Sequence, residues 1–321
     1  MAKTELSWED VQSAHQIVTQ YAHRTPVWAC ETLNRISGLE LFFKCENFQK
    51  TGAFKFRGAI TAVSRMTDEE KRCGVVTHSS GNHAAALTRA AAIHDVKAHV
   101  VMPENSSKIK IAAVKEYGGD VTLCKPTLES RQSTAEKIRQ ETGATLIPPF
   151  NHPDVIAGQG TCAKELLEDI ESLDAIVVPI GGGGLMSGSC LATKAISPNT
   201  RIIGAEPAGA DDAWQSLAAG KMIPQDGPNT IADGLRTSLG ELTWPIIQKH
   251  VEQIALVNDD EIVHVMKTFF ERSKLLIETS CCVAVGAALL GKIENLSPGS
   301  RVGVVITGGN VDLAALPFQA G

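Results

Sequence analysis

The stretch DAIVVPIGGGGLMSGSC, residues 174–190, changes character in its middle. Within 174–180, everything after Asp174 is an unbroken apolar, β-rich run, and after Gly181–Gly184 the apolar residues of LMSGSCLATKAI recur at helical spacing. A strand that passes through a glycine turn into a helix is a βα unit. A strand with no polar alternation is buried on both faces, which points to a parallel sheet covered by helices. The same grammar recurs outward along the chain. The runs LFFKCE (41–46), GVVTHSS (74–80), KAHVVMP (97–103), DVTLC (120–124), RIIGAEP (201–207) and RVGVVIT (301–307) are separated by helical patterns such as AAALTRAAAIH and TAEKIRQETG. The expected fold class is α/β, with open parallel sheets in two lobes. No low-complexity linker or repeat marks a boundary, so the βα grouping sets it: a smaller inserted lobe over 73–149, and a larger one from 1–72 together with 150–321.

Composition narrows the function classes. A chain of 321 residues with 43% hydrophobic content can bury a core large enough for two lobes. Its net charge of -6 offers no basic stripe to a nucleic-acid backbone. No run of about 18 apolar residues suggests a membrane span, and the first residues lack an apolar signal core; Ser7 with Asp10 reads as a helix N-cap instead. The expectation is a cytoplasmic protein that binds neither nucleic acid nor membrane. Eight cysteines (30, 45, 73, 124, 162, 190, 281 and 282) show no C-x-x-C spacing and read as reduced packing residues.

In parallel sheets, chemistry gathers where strands end and helices begin. Three such junctions are unusual here: Gly81-Asn82-His83 after 74–80, Gly181–Gly184 after 174–180, and Gly308-Gly309-Asn310 after 301–307. Four glycines before a helix let backbone N–H groups converge on an anion, with the helix N-terminus adding partial positive charge. That suits a phosphate, although a tight strand-to-helix turn would use the same residues. A dinucleotide fingerprint fits poorly, because its third glycine would fall at Met186 and the only acidic residue about 20 positions on is Glu206.

A second stretch, ENFQKTGAFKFRGAI (46–60), sets Lys50, Lys55 and Arg57 among Phe48, Phe54 and Phe56. Burial among aromatic rings favours the neutral amine of Lys55 and makes it nucleophilic. A lysine able to form a Schiff base and a glycine-rich phosphate cradle together fit a carbonyl cofactor that carries a phosphate, pyridoxal 5'-phosphate. A solvated turn lysine is the plain alternative for Lys55 alone.

The ordered motifs KTGAFKFRGA, THSSGNHAAAL, VVPIGGGGLMSG, GAEPAGADD and ITGGNVDL resemble those of the fold-type II pyridoxal-phosphate enzymes (tryptophan synthase β-like), most closely the eukaryotic serine racemases beside the serine/threonine dehydratases. The resemblance spans nearly the whole chain. It implies that Lys55 is the Schiff-base lysine, flanked by Phe54; that Asn82 bonds the cofactor's 3'-hydroxyl; that Gly181, Gly182, Gly183, Gly184, Leu185 and Met186 line its phosphate; and that Thr307 faces the pyridine nitrogen. A neutral hydroxyl there leaves the ring a weaker electron sink than a carboxylate would, which favours α-proton chemistry and β-elimination over transamination.

Racemisation needs a proton-transfer group on each face of a planar carbanion. The resemblance puts Lys55 on one face and the Ser80 hydroxyl on the other, where many bacterial threonine dehydratases carry alanine. It therefore implies interconversion of L- and D-serine, with elimination to pyruvate and ammonia as a companion activity. A dedicated L-serine/L-threonine dehydratase is the main alternative; a nicotinamide oxidoreductase and a non-catalytic pyridoxal-binding protein are the others. Ser79, Asn82, His83, Arg131 and Asp233 are the implied substrate contacts, with His83 read as a support rather than a proton carrier.

The resemblance also implies a Mg²⁺ (or Ca²⁺ or Mn²⁺) site at Glu206, the Ala210 carbonyl and Asp212, which are hard oxygen donors. It implies a homodimer, and ATP as an allosteric activator near Lys50, Thr51, Tyr117, Lys274 and Asn310. Two departures stand out. Thr279-Ser280-Cys281-Cys282 follows Glu278 where relatives often show proline and small residues, so cysteines would narrow the space beside the cofactor. In the nucleotide region, Cys30, Glu31 and Thr32 replace a serine-rich stretch and Ala85 replaces a glutamine.

Overall fold

The computed structural model describes residues 5–79, 81–106 and 108–318. Among the described residues ten strands, β1 (Val27–Trp28), β2 (Glu40–Cys45), β3 (Val75–Thr77), β4 (Ala98–Pro103), β5 (Asp120–Cys124), β6 (Thr145–Leu146), β7 (Ala175–Pro179), β8 (Arg201–Pro207), β9 (Gln253–Val257) and β10 (Arg301–Ile306), form two sheets. The larger has the order β1-β2-β10-β7-β8-β9 and the smaller β5-β4-β3-β6. All pairings are parallel except β1 with β2. The seven strands anticipated from apolar runs are present. β1 and β6 are two residues long, too short for any periodicity, and β9 was not anticipated.

β10, the last strand, lies in the middle of the larger sheet, between β2 and β7. Its register sets Val302 against Leu41 and against Ala175. Both ends of the chain therefore build this sheet, while the smaller sheet comes wholly from 75–146. β7 is apolar throughout because both of its faces are buried. Val177 joins Phe43, Ile203, Val304 and Phe269 on one side, and Ile176 and Val178 join Leu166, Cys190 and Ile202 on the other.

The helix bearing Lys55 (Lys55–Arg65) is packed against Pro153–Asp169, which is packed in turn against Gly184–Ile196. These helices approach closely at glycine: a Cβ on Gly158 would stand 2.5 Å from the Arg57 carbonyl oxygen, and one on Gly188 2.4 Å from that of Ile156. The Lys55 helix is thereby fixed to the helix that follows the tetraglycine loop. At the N-terminus, Asp10 accepts from the Ser7 N–H at 2.8 Å and Trp8 opens the first helix, in line with the capping expectation. Among the described residues no helix is long and apolar enough to cross a membrane.

Candidate active site

The residues of 46–60 divide three ways. Arg57 is fully buried and belongs to the core, where it donates to Glu46 and Glu165. Lys50 sits over the Phe56 ring, 5.7 Å from its centre. Lys55 opens its helix with its Nζ 4.9 Å from the centre of the Phe54 ring, donating to the Pro149 carbonyl at 2.8 Å. Burial pulls the Lys55 ammonium down to about 8, against the opposing negative charge of Glu278. Of the three rings expected to enclose it, Phe54 does so; Phe56 is fully buried beneath Lys50, and Phe48 is 48% exposed.

The carboxyl end of β10 fixes this segment. The Phe54 N–H donates to the Thr307 carbonyl at 2.9 Å, the Gly309 N–H to that of Gly52 at 2.9 Å, and Ala53 bridges to Gly308. Thr307 is buried beside the lysine turn. Across the cleft, at the end of β3, Asn82 donates from Nδ2 to both Glu278 carboxylate oxygens at 3.0 Å, and its Oδ1 accepts from Asn310 Nδ2 at 2.9 Å. The carboxyl ends of the two sheets thus meet around Lys55, Asn82 and Thr307.

The tetraglycine loop lies at the carboxyl end of β7, beside β10. Gly183 caps the following helix with φ 85°, in the left-handed region, and has no side chain to occupy the first-turn N–H groups. A Cβ on Gly182 would stand 2.3 Å from the Phe150 ring, so that glycine serves packing as well as backbone access. The loop is braced by Thr243, whose hydroxyl donates to the Gly182 carbonyl at 2.9 Å.

The family pattern described as "Pyridoxal-phosphate dependent enzyme" matches residues 18–308. The chain belongs to that family. It is 51% identical to a serine racemase of Arabidopsis thaliana, over 95% of this chain and 93% of the relative. It is 46% identical to a β-hydroxyaspartate dehydratase of Paracoccus denitrificans, over 98% of this chain and 99% of the relative. The solved structure of a maize serine racemase superposes with a TM-score of 0.94 at 46% identity, covering 97% of this chain and 95% of that one. The fold is therefore that of the fold-type II pyridoxal-phosphate enzymes.

The residues fit the family's cofactor. Lys55 presents an amine of lowered basicity to attach an aldehyde, and the Gly183-capped helix offers uncapped N–H groups to a phosphate. Thr307 offers a neutral hydroxyl, and Asn82 a side-chain amide, on either side of the space between.

Ser80 lies outside the described residues. The Ser79 hydroxyl accepts weakly from the Gly81 N–H at 3.4 Å. His83 is buried, with Nε2 2.9 Å from the Ile147 carbonyl. Desolvation, with the charge of Lys55, pulls it down to about 3, so it is neutral, as a support rather than a proton carrier would be. Since a carbonyl can only accept, Nε2 carries the proton. Arg131 has a buried Nε without a partner, and its charge adds to burial in lowering His78. Asp233 pairs with Lys110 at 2.8 Å, linking the helix Lys108–Glu116 to the turn Asp233–Leu235.

The proposed metal ligands converge in part. Glu206 accepts N–H bonds from Ala213 at 3.2 Å and Trp214 at 2.8 Å, and burial, then the charge of Asp212, pushes it well above the usual carboxylate range. Asp212 is pushed up to about 6 by burial; its Oδ2 accepts from the Leu239 N–H, while its buried Oδ1 has no partner. Two facing carboxylates with an orphaned oxygen fit a hard cation. No cluster of three His, Cys, Asp or Glu occurs among the described residues, so backbone carbonyls such as that of Ala210 and water would have to complete the shell. Of the nucleotide candidates, Thr51, Tyr117 and Asn310 line one cavity of about 340 Å³. Lys50 and Lys274 are not part of its lining: the first covers Phe56 and the second donates to the Glu271 carbonyl.

Glu278 is the residue that sequence reading passed over, using it only as a landmark. It is 7% exposed, and burial pushes its carboxyl up to about 7 against the Asn82 hydrogen bonds. The available signal was a lone acid in the apolar run LLIETSCCVAV.

Proposed function

We propose that this enzyme interconverts L- and D-serine and also eliminates the β-hydroxyl of serine to give pyruvate and ammonia. The observation that carries the reading is Lys55, an amine lowered to about 8 at the meeting point of a phosphate-suited loop and a neutral hydroxyl, in a chain 51% identical to a serine racemase. When bound, pyridoxal phosphate supplies an electron sink that allows an amino acid to lose its α-proton. The chain's own residues do the rest. The Gly181–Gly184 amides, with Leu185 and Met186, hold the phosphate. Arg131, with its unpartnered Nε, approaches the substrate carboxylate together with Ser79, Asn82 and His83. Asp233 closes the cleft through Lys110. The Lys55 amine removes or returns the α-proton on one face, and the Ser80 hydroxyl delivers or removes one on the other. Loss of the β-hydroxyl before reprotonation gives elimination.

The deciding experiment compares the holoenzyme with Ser80→Ala, using L-serine and D-serine with chiral and pyruvate readouts. D-serine formation should fall by about a hundredfold or more, the typical worth of a positioned proton carrier, while pyruvate from L-serine falls much less. Elimination from D-serine, whose α-proton points at the altered face, should fall with racemisation. Normal racemisation by the variant, or equal loss of L-serine elimination, would move the dedicated dehydratase ahead. The β-hydroxyaspartate dehydratase relative, 46% identical over 98% of the chain, supports a second reading, so 3-hydroxyaspartate belongs in the same assay.

Further parts of the reading are a homodimeric cytoplasmic enzyme, a mobile lobe over 73–149, Mg²⁺ at Glu206, Ala210 and Asp212, and ATP in the cavity at Thr51, Tyr117 and Asn310. Ala85 lines that cavity without an amide to offer, which supports weak rather than strong nucleotide activation.

A further inference from the structure

Cys281 departs from the small residues expected after Glu278, and its sulfur is engaged rather than merely packed. Its Sγ lies 3.1 Å from Thr307 Oγ1 and 3.0 Å from the Gly308 carbonyl oxygen, and it accepts from the Gly308 N–H at 3.2 Å. The side chain is fully buried, and burial with the charge of Glu278 pushes the thiol up to about 12, so it stays S–H. Thr307 Oγ1 has no other hydrogen-bond partner among the described residues.

We propose that Cys281 is a positioning residue for the cofactor ring, holding Thr307 so that its hydroxyl proton is turned toward the pyridine nitrogen. This rests on the placement of Thr307 at that nitrogen in the function proposed above. A thiol is a weak donor and a weak acceptor. Its single proton goes either to the Gly308 carbonyl or to Thr307 Oγ1, and in neither case does the sulfur compete strongly for the threonine proton. The hydroxyl therefore keeps its proton for a better acceptor, an aromatic ring nitrogen, which receives a hydrogen bond without being protonated. An oxygen at position 281 would accept the threonine proton more strongly and draw it inward. An alanine would leave the hydroxyl without its lateral partner. Cys281 thus acts on the electronics of the ring through Thr307 instead of filling space beside the substrate.

The test uses apoprotein reconstituted with pyridoxal 5'-phosphate, reading the dissociation constant and the absorption maximum of the bound cofactor for wild type, Cys281→Ser, Cys281→Ala, Thr307→Val and the two double variants. Cys281→Ser should weaken cofactor binding about three- to tenfold, the range of a single hydrogen bond, and shift the absorption band. In the Thr307→Val background the same change should do neither, because coupled residues are not additive. Should Cys281→Ser fail to give folded apoprotein, judged by its melting transition, Cys281→Ala runs the same cycle. If Thr307→Val weakens binding and the Cys281 changes add to it in full, Cys281 does not act through Thr307 and the proposal falls while the placement of Thr307 stands. If Thr307→Val leaves affinity and band unchanged, that placement fails and the role of Cys281 goes with it. A Cys281 variant that alters only the melting temperature marks a structural residue and also overturns the proposal.

Discussion

Lys55 owes its chemistry to partial removal from water. An ordinary lysine sits near 10.5, and burial in the turn beside the carboxyl end of β10 lowers Lys55 to about 8, with only the charge of Glu278 opposing. A group whose folded value is depressed in this way favours the neutral amine, so its penalty on stability is full below about 8 and disappears as pH rises toward 10.5. The functional consequence has the same sign. The rate at which apoprotein regains cofactor colour should rise with pH through a midpoint near 8, as the amine is freed. Lys55→Ala should regain no borohydride-trappable cofactor. A midpoint near 10 would mean that the amine is solvated in solution. This much was legible in the sequence, from aromatic residues around a lysine. That Arg57, two residues on, turns into the core was not, because a cation in a glycine-containing turn looks the same whether its partners are water or distant glutamates.

At the scale of elements, those glutamates come from different parts of the fold. Arg57 donates in fork fashion to Glu46, after β2, and to Glu165, on the helix Pro153–Asp169; Lys44 on β2 donates to Glu165 at 2.8 Å. Four fully or nearly fully buried charges, balanced two against two, tie the lysine-bearing helix to the strand before it and the helix beside it. Although burial pushes Glu165 up, Arg57 and Lys44 hold it down to about 2. Its contribution to stability is therefore present above about 4.5 and lost as pH falls toward 2. Glu165→Gln should destabilise the protein by about 3–5 kcal/mol at neutral pH, because it leaves two buried cations facing one carboxylate. A chemical-denaturation midpoint unchanged at pH 7 would show the cluster to be energetically idle. The variant should also lack the loss of stability that Glu165 causes in acid. Apolar runs made seven strands legible, since buried parallel strands have nowhere to place polar residues. β1 and β6 escaped because two residues carry no period, and the buried role of Glu46 and Glu165 escaped because the cluster closes only through contacts that join Glu165 to Arg57 and Lys44, 108 and 121 residues away.

For the whole molecule, the acidic pair Glu206 and Asp212 joins the larger sheet to the helix and loops beyond β8. Glu206 lies one residue before the end of β8, Asp212 opens the helix Asp212–Ala219, and Asp212 Oδ2 accepts from the N–H of Leu239, within a long segment from 220 to 243 with little regular structure. That segment reaches the tetraglycine loop through Thr243, whose hydroxyl donates to the Gly182 carbonyl, so anything that anchors it also steadies that loop. Ionised together, these two buried carboxylates repel each other, and either a proton on Glu206 or a cation between them relieves it. A divalent cation that binds the folded chain alone stabilises it by about 2.7 kcal/mol at a hundred times its dissociation constant, worth roughly 4 °C in a chain of this size. Chelation should thus lower the melting temperature by about that much and reduce serine turnover with it, and Mg²⁺ should restore both. Asp212→Asn separates this from nonspecific damage. It keeps an oxygen to accept from Leu239 but removes one of the repelling charges, so the chelated variant should melt no lower than chelated wild type while gaining nothing from Mg²⁺. A variant that still gains the wild-type increment would place the cation elsewhere, and wild type that melts and reacts unchanged after exhaustive chelation would leave the two carboxylates as a pair relieved by the proton on Glu206 alone.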